Sequence, residues 1–190
     1  GGDFHPQRLL NAYENGILPW YIDEYNYIHW FSPQKRMVLK PEEMKVSKSL
    51  KKSVLNKGFV IKSNENFEAV MRNCSNIKRK HEDSTWISEE FIQAYTDLHH
   101  LDIAFSIECY LNEELVGGLY GLLIGNIFCG ESMFAKVTDA SKVAFYHLCQ
   151  QAEENGIKLI DCQVYNDHLA SLGAYEISRE KYFEILNENI

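Results

Sequence analysis

The chain lacks the features that mark several common classes of protein. Its five cysteines are an odd number, widely spaced and without a C-x-x-C pair, which excludes a disulfide framework and a zinc knuckle and predicts a reduced, cytosolic protein. No signal peptide is recognisable. No apolar run approaches the roughly 18 residues that a membrane span needs, because charged residues interrupt every candidate. We therefore expect a cytoplasmic protein with no membrane-embedded part.

Motifs for metals and nucleotide phosphates are also missing. The seven histidines are scattered and no H-E-x-x-H occurs, so nothing supports a metal site. Gly117, Gly118, Gly121 and Gly125 lie in a strand pattern without a following G-K-[ST], which indicates a bulge or a close backbone approach. The sequence therefore predicts no metal and no cofactor.

The charge is divided unevenly along the chain. The formal net charge is −8, yet residues 1–80 carry 14 basic and 8 acidic side chains, whereas residues 81–190 carry 5 and 19. Nine of the basic residues lie between Lys35 and Lys62. Such a run is either an ordinary solvated face or the binding surface for an anionic partner, with a cationic partner at the acidic half. Both interpretations stay open on charge alone.

Hydrophobic periodicity predicts a small subdomain over residues 1–60 and an α+β domain over residues 61–190. In the first, a helix opens at Pro6 and is closed by Asn15 and Gly16, a Trp- and Tyr-rich loop follows, and a helix spans 47–56. In the second, strands over 104–110, 115–124 and 127–132 precede a long helix capped by Asp139 and a strand over 158–164. This order is typical of the mixed sheet of GNAT acyltransferases.

A coenzyme A enzyme of that fold would place its pyrophosphate loop just before the long helix. Residues 133–139 occupy this position and contain no glycine. A coenzyme A-dependent acyltransferase is therefore disfavoured, although the fold class is the same.

Polar residues interrupt two strands that are otherwise apolar. Glu131 and Ser132 end one of them, and Asp161 and Gln163 lie two residues apart on the other, which predicts that they share a face. A buried carboxylate is costly unless it is paired, so both strands are candidate sites. The alternative is that these side chains only satisfy a helix end or loop amides.

Two further groups are candidates for binding nucleic acid. Trp20 and Trp86 lie in loop patterns and could stack on nucleobases, or serve simply as core residues. Lys48, Lys51 and Lys52 recur at helical spacing and share one face of the second predicted helix.

Taken together, the motifs resemble those of the bacterial leucyl/phenylalanyl-tRNA–protein transferases. The resemblance runs from residue 1 to about residue 182, and the blocks at 128–134 and 159–163 are its most specific parts. The motifs occur in this order: G-I-L-P-W at 16–20, W-F-S-P at 30–33, R-M-V-L at 36–39, T-W-I at 85–87, L-V-G-G-L-Y-G at 115–121, F-C-G-E-S-M-F at 128–134, A-S-K at 140–142, L-I-D-C-Q at 159–163 and S-L-G-A at 171–174.

The resemblance implies an activity and its partners. Such enzymes transfer Leu or Phe, and Met less well, from aminoacyl-tRNA to the α-amino group of proteins beginning with Arg or Lys, which creates a bacterial N-degron. They have a GNAT-like catalytic domain behind a small N-terminal domain and need neither metal nor coenzyme A. We expect a monomer. A non-catalytic module that binds the tRNA end or an N-degron is the alternative, since it would share the basic helix and the tryptophans.

The resemblance also assigns roles to residues. Gln163, oriented by Asp161, would position the attacking amine, and Glu131 would hold the positive end of the acceptor. The basic helix would lie against the phosphates of the tRNA acceptor stem. The remaining substrate contacts would be the two tryptophans around the terminal adenosine and the side chains that receive the aminoacyl group, namely Leu119, Phe128, Ser132, Phe145, Leu148 and Ile160.

Overall fold

The computed structural model describes residues 1–76 and 87–190. Within these ranges the chain forms seven α-helices and nine β-strands. The helices are α1 (Pro6–Glu14), α2 (Lys48–Asn56), α3 (Phe67–Ser75), α4 (Glu89–His100), α5 (Ala140–Glu154), α6 (Asp167–Ser171) and α7 (Arg179–Asn189). The strands are β1 (Leu18–Ile22), β2 (Ile28–Phe31), β3 (Lys35–Leu39), β4 (Val60–Ser63), β5 (Ala104–Leu111), β6 (Glu114–Ile124), β7 (Ile127–Ala135), β8 (Leu159–Gln163) and β9 (Tyr175–Ser178).

The helix ends follow the sequence signals. Ser47 and Ser178 accept hydrogen bonds from backbone N–H groups of the first turns of α2 and α7, as N-cap serines do. α1 ends at Glu14 and is followed by the C-cap Asn15 and by Gly16, whose φ of +66° turns the chain away from the helix. The long helix predicted from Asp139 is α5. None of the helices in the described ranges is long and apolar enough to cross a membrane.

A seven-stranded mixed sheet, in the order β4-β5-β6-β7-β8-β3-β9, organises the described part of the chain. β7 and β8 are parallel and the other neighbours are antiparallel. β3 comes from the first 60 residues yet lies between β8 and β9, so the expected N-terminal subdomain contributes a strand to this sheet. The division at residue 60 stays a prediction.

The composition of the Trp- and Tyr-rich segment predicts a loop. The segment instead forms a two-stranded antiparallel hairpin of β1 and β2. Its strands are short and its outer side chains are exposed. The prediction is wrong because Pro19 and Pro33 indicate a loop, whereas Pro is also tolerated in a strand that lies at an edge.

Two apolar clusters cover the two faces of the large sheet. One joins α1, α3, α4 and α7 to side chains such as Tyr120 and Leu122. The other joins α2 and α5 to side chains such as Leu119 and Phe128. Because neighbouring residues of β6 enter different clusters, the sheet is buried on both faces. The result is a three-layer arrangement, with helices on both faces of the sheet.

We expect Gly16→Ala to destabilise the protein more than Gly58→Ala. Both glycines have positive φ, +66° and +71°, so both substitutions carry the same left-handed strain. A Cβ at Gly16 would lie 2.3 Å from Cε1 of Phe183, whereas a Cβ at Gly58 would meet no atom within 4 Å. Overpacking costs about 1–3 kcal/mol. Urea denaturation should show that difference between the variants, and equal free energies of unfolding would contradict it.

Candidate active site

A cavity of about 580 Å³ opens where two central strands separate. The pairing of β7 with β8 ends at Cys129 and Asp161. Beyond that point, residues 130–133 of β7 line the cavity, as do residues 162–163 of β8 and Val164 just after it. β8 meanwhile stays paired with β3 as far as Gln163. The cavity therefore opens between two parallel strands, with Gln163 at the carboxyl end of β8 and Glu131 in the middle of β7.

Each of these strands carries a bulge at the cleft. The β6–β7 register skips Glu131, and the β3–β8 register skips Cys162. A bulge adds one residue to one strand and turns side chains away from strict alternation. The prediction that Asp161 and Gln163 share a strand face relied on that alternation, which the bulge interrupts. Their contacts, rather than their spacing, define where the two side chains lie.

Asp161 is completely buried and its carboxylate is fully hydrogen-bonded. Oδ1 accepts from Nε of Arg36 at 2.9 Å and from the backbone N–H of Gln163 at 2.9 Å. Oδ2 accepts from Nη2 of Arg36 at 2.6 Å and from the hydroxyl of Tyr182 at 2.9 Å. These bonds occupy the four acceptor positions of a carboxylate. Asp161 is therefore a fixed anchor, with no position left for a substrate proton.

Arg36 holds this carboxylate and connects it to two helices. Its side chain is 2% exposed, its Nη1 donates to the carbonyl oxygen of Gly16 at 3.1 Å, and its Cζ lies 4.4 Å from the centre of the Tyr182 ring. Arg36 therefore belongs to no binding surface, although it counts among the nine basic residues of the run. The signal that could have revealed this is an arginine within an apolar strand, since such a charge requires a buried partner.

Gln163 adopts a strained backbone conformation that Asp161 stabilises. Its φ is +66°, which costs a non-glycine residue about 1–2 kcal/mol. The bond from its backbone N–H to Asp161 offsets that cost. Its side-chain Nε2 donates to Oε1 of Glu131 at 2.8 Å. Its Oε1 accepts no hydrogen bond from residues 1–76 or 87–190, so it can accept one from a group in the cavity.

Glu131 is the second carboxylate of the site, and it lies against two tyrosines. The hydroxyl of Tyr13 donates to its Oε1 at 2.6 Å, and the hydroxyls of Tyr13 and Tyr95 are hydrogen-bonded to each other. Burial raises the pKa of Glu131 to about 8, although the Tyr13 hydrogen bond acts in the opposite direction. The sequence pattern indicates Tyr13 only as part of an apolar helix face and does not single out Tyr95.

The predicted wall residues converge on the same cavity. Six of them, from four different elements, line it together with Glu131, Asp161 and Gln163. They are Leu119, Phe128, Ser132, Phe145, Leu148 and Ile160. The wall also contains residues that were not predicted, among them Tyr21, Met133, Asn166 and His168.

Of the two predicted tryptophans, Trp20 lies at the cavity. It is on β1, lines the cavity and is 39% exposed, with its ring 5.2 Å from that of Phe31. An indole ring that is partly exposed at a cavity can stack on a planar ligand. Trp86 lies outside the described residues, so its predicted role stays a prediction.

The predicted lysine face is solvent-exposed. Lys48, Lys51 and Lys52 are exposed on α2, and none of them has an acidic partner within residues 1–76 and 87–190. By contrast, Lys57 and Lys62 of the same basic run pair with Asp139 and Glu65. The three lysines do not line the cavity. They form a separate cationic face that is available to an anion.

Asp139 is the N-cap residue of α5, as predicted, but its side chain bonds the basic helix instead of the first turn of α5. Its φ is +72°, and its side chain makes no capping bond to α5. Its Oδ2 instead accepts from Oγ of Ser53 at 2.7 Å and from Nζ of Lys57 at 3.1 Å, both on or just after α2. The prediction of a side-chain cap was wrong because a tertiary partner outcompetes the local one. Within the described part of the chain, no three His, Cys, Asp or Glu side chains converge on a possible metal position.

Solved structures show the fold class. The crystal structure of FemX aligns with 94% of this chain and 70% of its own at a TM-score of 0.59 and 12% identity. L-PGS from Bacillus licheniformis aligns with 82% of this chain and 50% of its own at a TM-score of 0.50 and 11% identity. At such low identity the likeness concerns the fold alone. It confirms the predicted α+β, GNAT-like mixed sheet flanked by helices.

Sequence relatives show the family. The family model for leucyl/phenylalanyl-tRNA protein transferase matches residues 38–187, and the model for its N-terminal domain matches residues 2–34. A transferase of that name from Flavobacterium johnsoniae is 50% identical over 98% of this chain and 87% of its own. One from Dechloromonas aromatica is 51% identical over 96% and 77%. The chain belongs to the leucyl/phenylalanyl-tRNA–protein transferase family and is an aminoacyltransferase, as the motifs predicted.

Tyr182→Phe should slow aminoacyl transfer without weakening tRNA binding. The substitution keeps the ring beside Arg36 and removes one hydrogen bond to Asp161, the anchor of the Gln163 backbone. A bond to a charged group contributes about 1.5–3 kcal/mol, so we expect kcat to fall roughly tenfold. Tyr146→Phe is the control, because among the described residues its hydroxyl accepts a hydrogen bond from the exposed Gln150 alone. Single-turnover assays measure the rate constant of transfer. If Tyr182→Phe keeps the wild-type rate constant, as the control should, the hydrogen bond from Tyr182 is not needed to hold Asp161 in its active position.

Proposed function

We propose that the enzyme moves Leu or Phe, and Met less well, from aminoacyl-tRNA to the α-amino group of proteins whose first residue is Arg or Lys. The product carries an apolar first residue that acts as a bacterial N-degron in the cytoplasm. The observation that carries this proposal is a single cavity with an apolar wall and a Glu131–Gln163 pair at its polar end.

The donor would bind with its amino-acid side chain in the apolar wall and its terminal adenosine on Trp20. A wall of Leu119, Phe128, Leu148 and Ile160 excludes polar side chains. It discriminates between apolar ones by only about 1–3 kcal/mol per methylene. That weak discrimination fits an enzyme that accepts several apolar amino acids.

The acceptor would enter at the polar end of the cavity as a cation. The α-amino group must lie against the ester carbonyl that joins the amino acid to the ribose, and Gln163 Oε1 is free to accept one of its N–H bonds. Glu131 supplies negative charge beside it when its carboxyl group is ionised. Because the ester is already activated, we infer that holding the two reactants in line supplies much of the acceleration.

Transfer from leucyl-tRNA to an Arg-initiated peptide tests the donor and the acceptor together. We expect labelled Leu on this peptide and none on the same peptide beginning with Ala. Only the Arg-initiated peptide presents a guanidinium, in addition to its α-ammonium group, to the acidic half of the chain. Gln163→Ala should lose transfer and keep tRNA affinity. Unchanged transfer by that variant would overturn the assignment of Gln163. Absence of transfer by the wild type, with tRNA still bound, would favour the non-catalytic binding module.

Replacing Lys48, Lys51 and Lys52 with Ala should weaken tRNA binding and flatten its salt dependence. Each phosphate that a lysine no longer neutralises reduces the slope of log K against log salt by about 0.7–0.9, so the slope of the triple variant should fall by roughly 2 to 3 units. Fluorescence titration of charged tRNA at several salt concentrations measures this slope.

The matched control replaces Lys35, Lys158 and Lys181, which are exposed elsewhere on the protein, with Ala. It removes the same net charge, so a purely long-range effect would appear equally in both triple variants. An equal change in the two slopes, or no change in either, would contradict docking on α2.

A further inference from the structure

The two oxygens of Glu131 have different surroundings. Oε1 accepts from the Tyr13 hydroxyl and from Nε2 of Gln163. Oε2 accepts no hydrogen bond from any described residue, although Glu131 lines the cavity. Two donors thus hold one oxygen in place and leave the other for a group that enters the cavity.

Tyr13 donates to Glu131 because an ionised carboxylate can only accept hydrogen bonds. Tyr95 is completely buried on α4, and its hydroxyl bonds that of Tyr13. With Tyr13 donating to the carboxylate, the proton of Tyr95 must point at the Tyr13 oxygen. The hydroxyls of Tyr95 and Tyr13 therefore donate in one direction, towards Glu131, and together with Gln163 they hold its Oε1.

The charged neighbours of Glu131 act in opposing directions. Burial raises its pKa most, and the negative charge of Asp161 raises it further. The hydrogen bond from Tyr13, the charge of Arg36 and the hydrogen bond from Gln163 lower it. The resulting pKa of about 8 matches that of the α-amino group of a peptide, for which about 7.7–8.0 is usual. A proton can pass between two such groups at little cost.

Other groups of the cavity are poorly suited to accept that proton. Asp161 has all its acceptor positions occupied, and Gln163 is a neutral amide. His168 lines the cavity but forms no hydrogen bond with Glu131 or Gln163, and burial lowers its pKa. Burial raises the pKa of the Cys162 thiol well above its usual range, which keeps it protonated.

We propose that Glu131 is the catalytic base that takes a proton from the α-ammonium group of the acceptor, and that Tyr13 and Tyr95 are positioning residues that hold its carboxylate for this step. This inference rests on the proposed function. The ammonium gives one proton to Oε2, and its freed electron pair forms the bond to the ester carbonyl carbon. The bond from that carbon to the ribose oxygen then breaks, and the departing oxygen takes a second proton from the same nitrogen. Glu131 afterwards returns its proton to solvent.

The test is the pH dependence of kcat/KM for one Arg-initiated peptide with leucyl-tRNA saturating. In the wild type we expect a rise of about tenfold per pH unit below pH 8, because Glu131 must be ionised. Tyr13→Phe removes a hydrogen bond that lowers the pKa of Glu131. The ascending limb of the Tyr13→Phe profile should therefore move to higher pH. Relative to the wild type, kcat/KM of this variant should be lowered more at about pH 7 than at about pH 9. The pKa of the peptide itself is the same throughout.

Glu131→Gln should lower kcat at least about a hundredfold, the usual contribution of a general base, and leave tRNA affinity unchanged. Tyr146→Phe should keep the wild-type profile, which controls for the loss of a hydroxyl. A Tyr13→Phe profile that superimposes on the wild type, or Glu131→Gln with wild-type kcat, would overturn the proposal. A His168→Asn variant that alone loses the ascending limb would assign the base to His168. Failure of the proposed function is distinguishable, because the wild type would then transfer nothing at any pH.

Discussion

The ion pair between Arg36 and Asp161 is the constraint on which the site depends. Burying both charges is tolerable only because the guanidinium and the carboxylate satisfy each other and their remaining positions are filled by Gly16, Gln163 and Tyr182. Through these contacts one pair joins the end of α1, the bulge of β8 and the helix α7. Since α1 carries Tyr13 and β8 carries Gln163, both supports of Glu131 are fixed by the same ion pair.

Much of the fold could be predicted from local patterns. Apolar periodicity and capping serines indicate the helices, and three consecutive strands alternate clearly enough to predict the mixed sheet. The hairpin of β1 and β2 and the strand β3 could not be predicted in this way. β3 is five residues long and its partners, β8 and β9, lie more than a hundred residues further along the chain. No local pattern contains that information.

The residues of the candidate site could be predicted from the sequence, but their arrangement in space could not. Polar residues in the apolar strands indicated Glu131, Asp161 and Gln163, and the family resemblance indicated the cavity wall. Strict alternation along the strand predicted that Asp161 and Gln163 share a face. The bulge between them could not be foreseen, because a bulge leaves no recognisable pattern in a single sequence. Arg36 and Tyr95 were not singled out, since their importance comes from partners that only the folded chain brings near.

The position of β3 has a consequence for synthesis of the protein. Arg36 and Asp161 are 125 residues apart, and a ribosome adds about 5–20 residues per second, so the arginine leaves the tunnel on the order of ten seconds before its carboxylate. During that interval it must remain hydrated, and β3 has neither of its partner strands, β8 and β9. The last donor to Asp161, the hydroxyl of Tyr182, is made later still, because it belongs to α7. The carboxylate that anchors Gln163 therefore gains its full set of hydrogen bonds only when α7 has emerged from the ribosome.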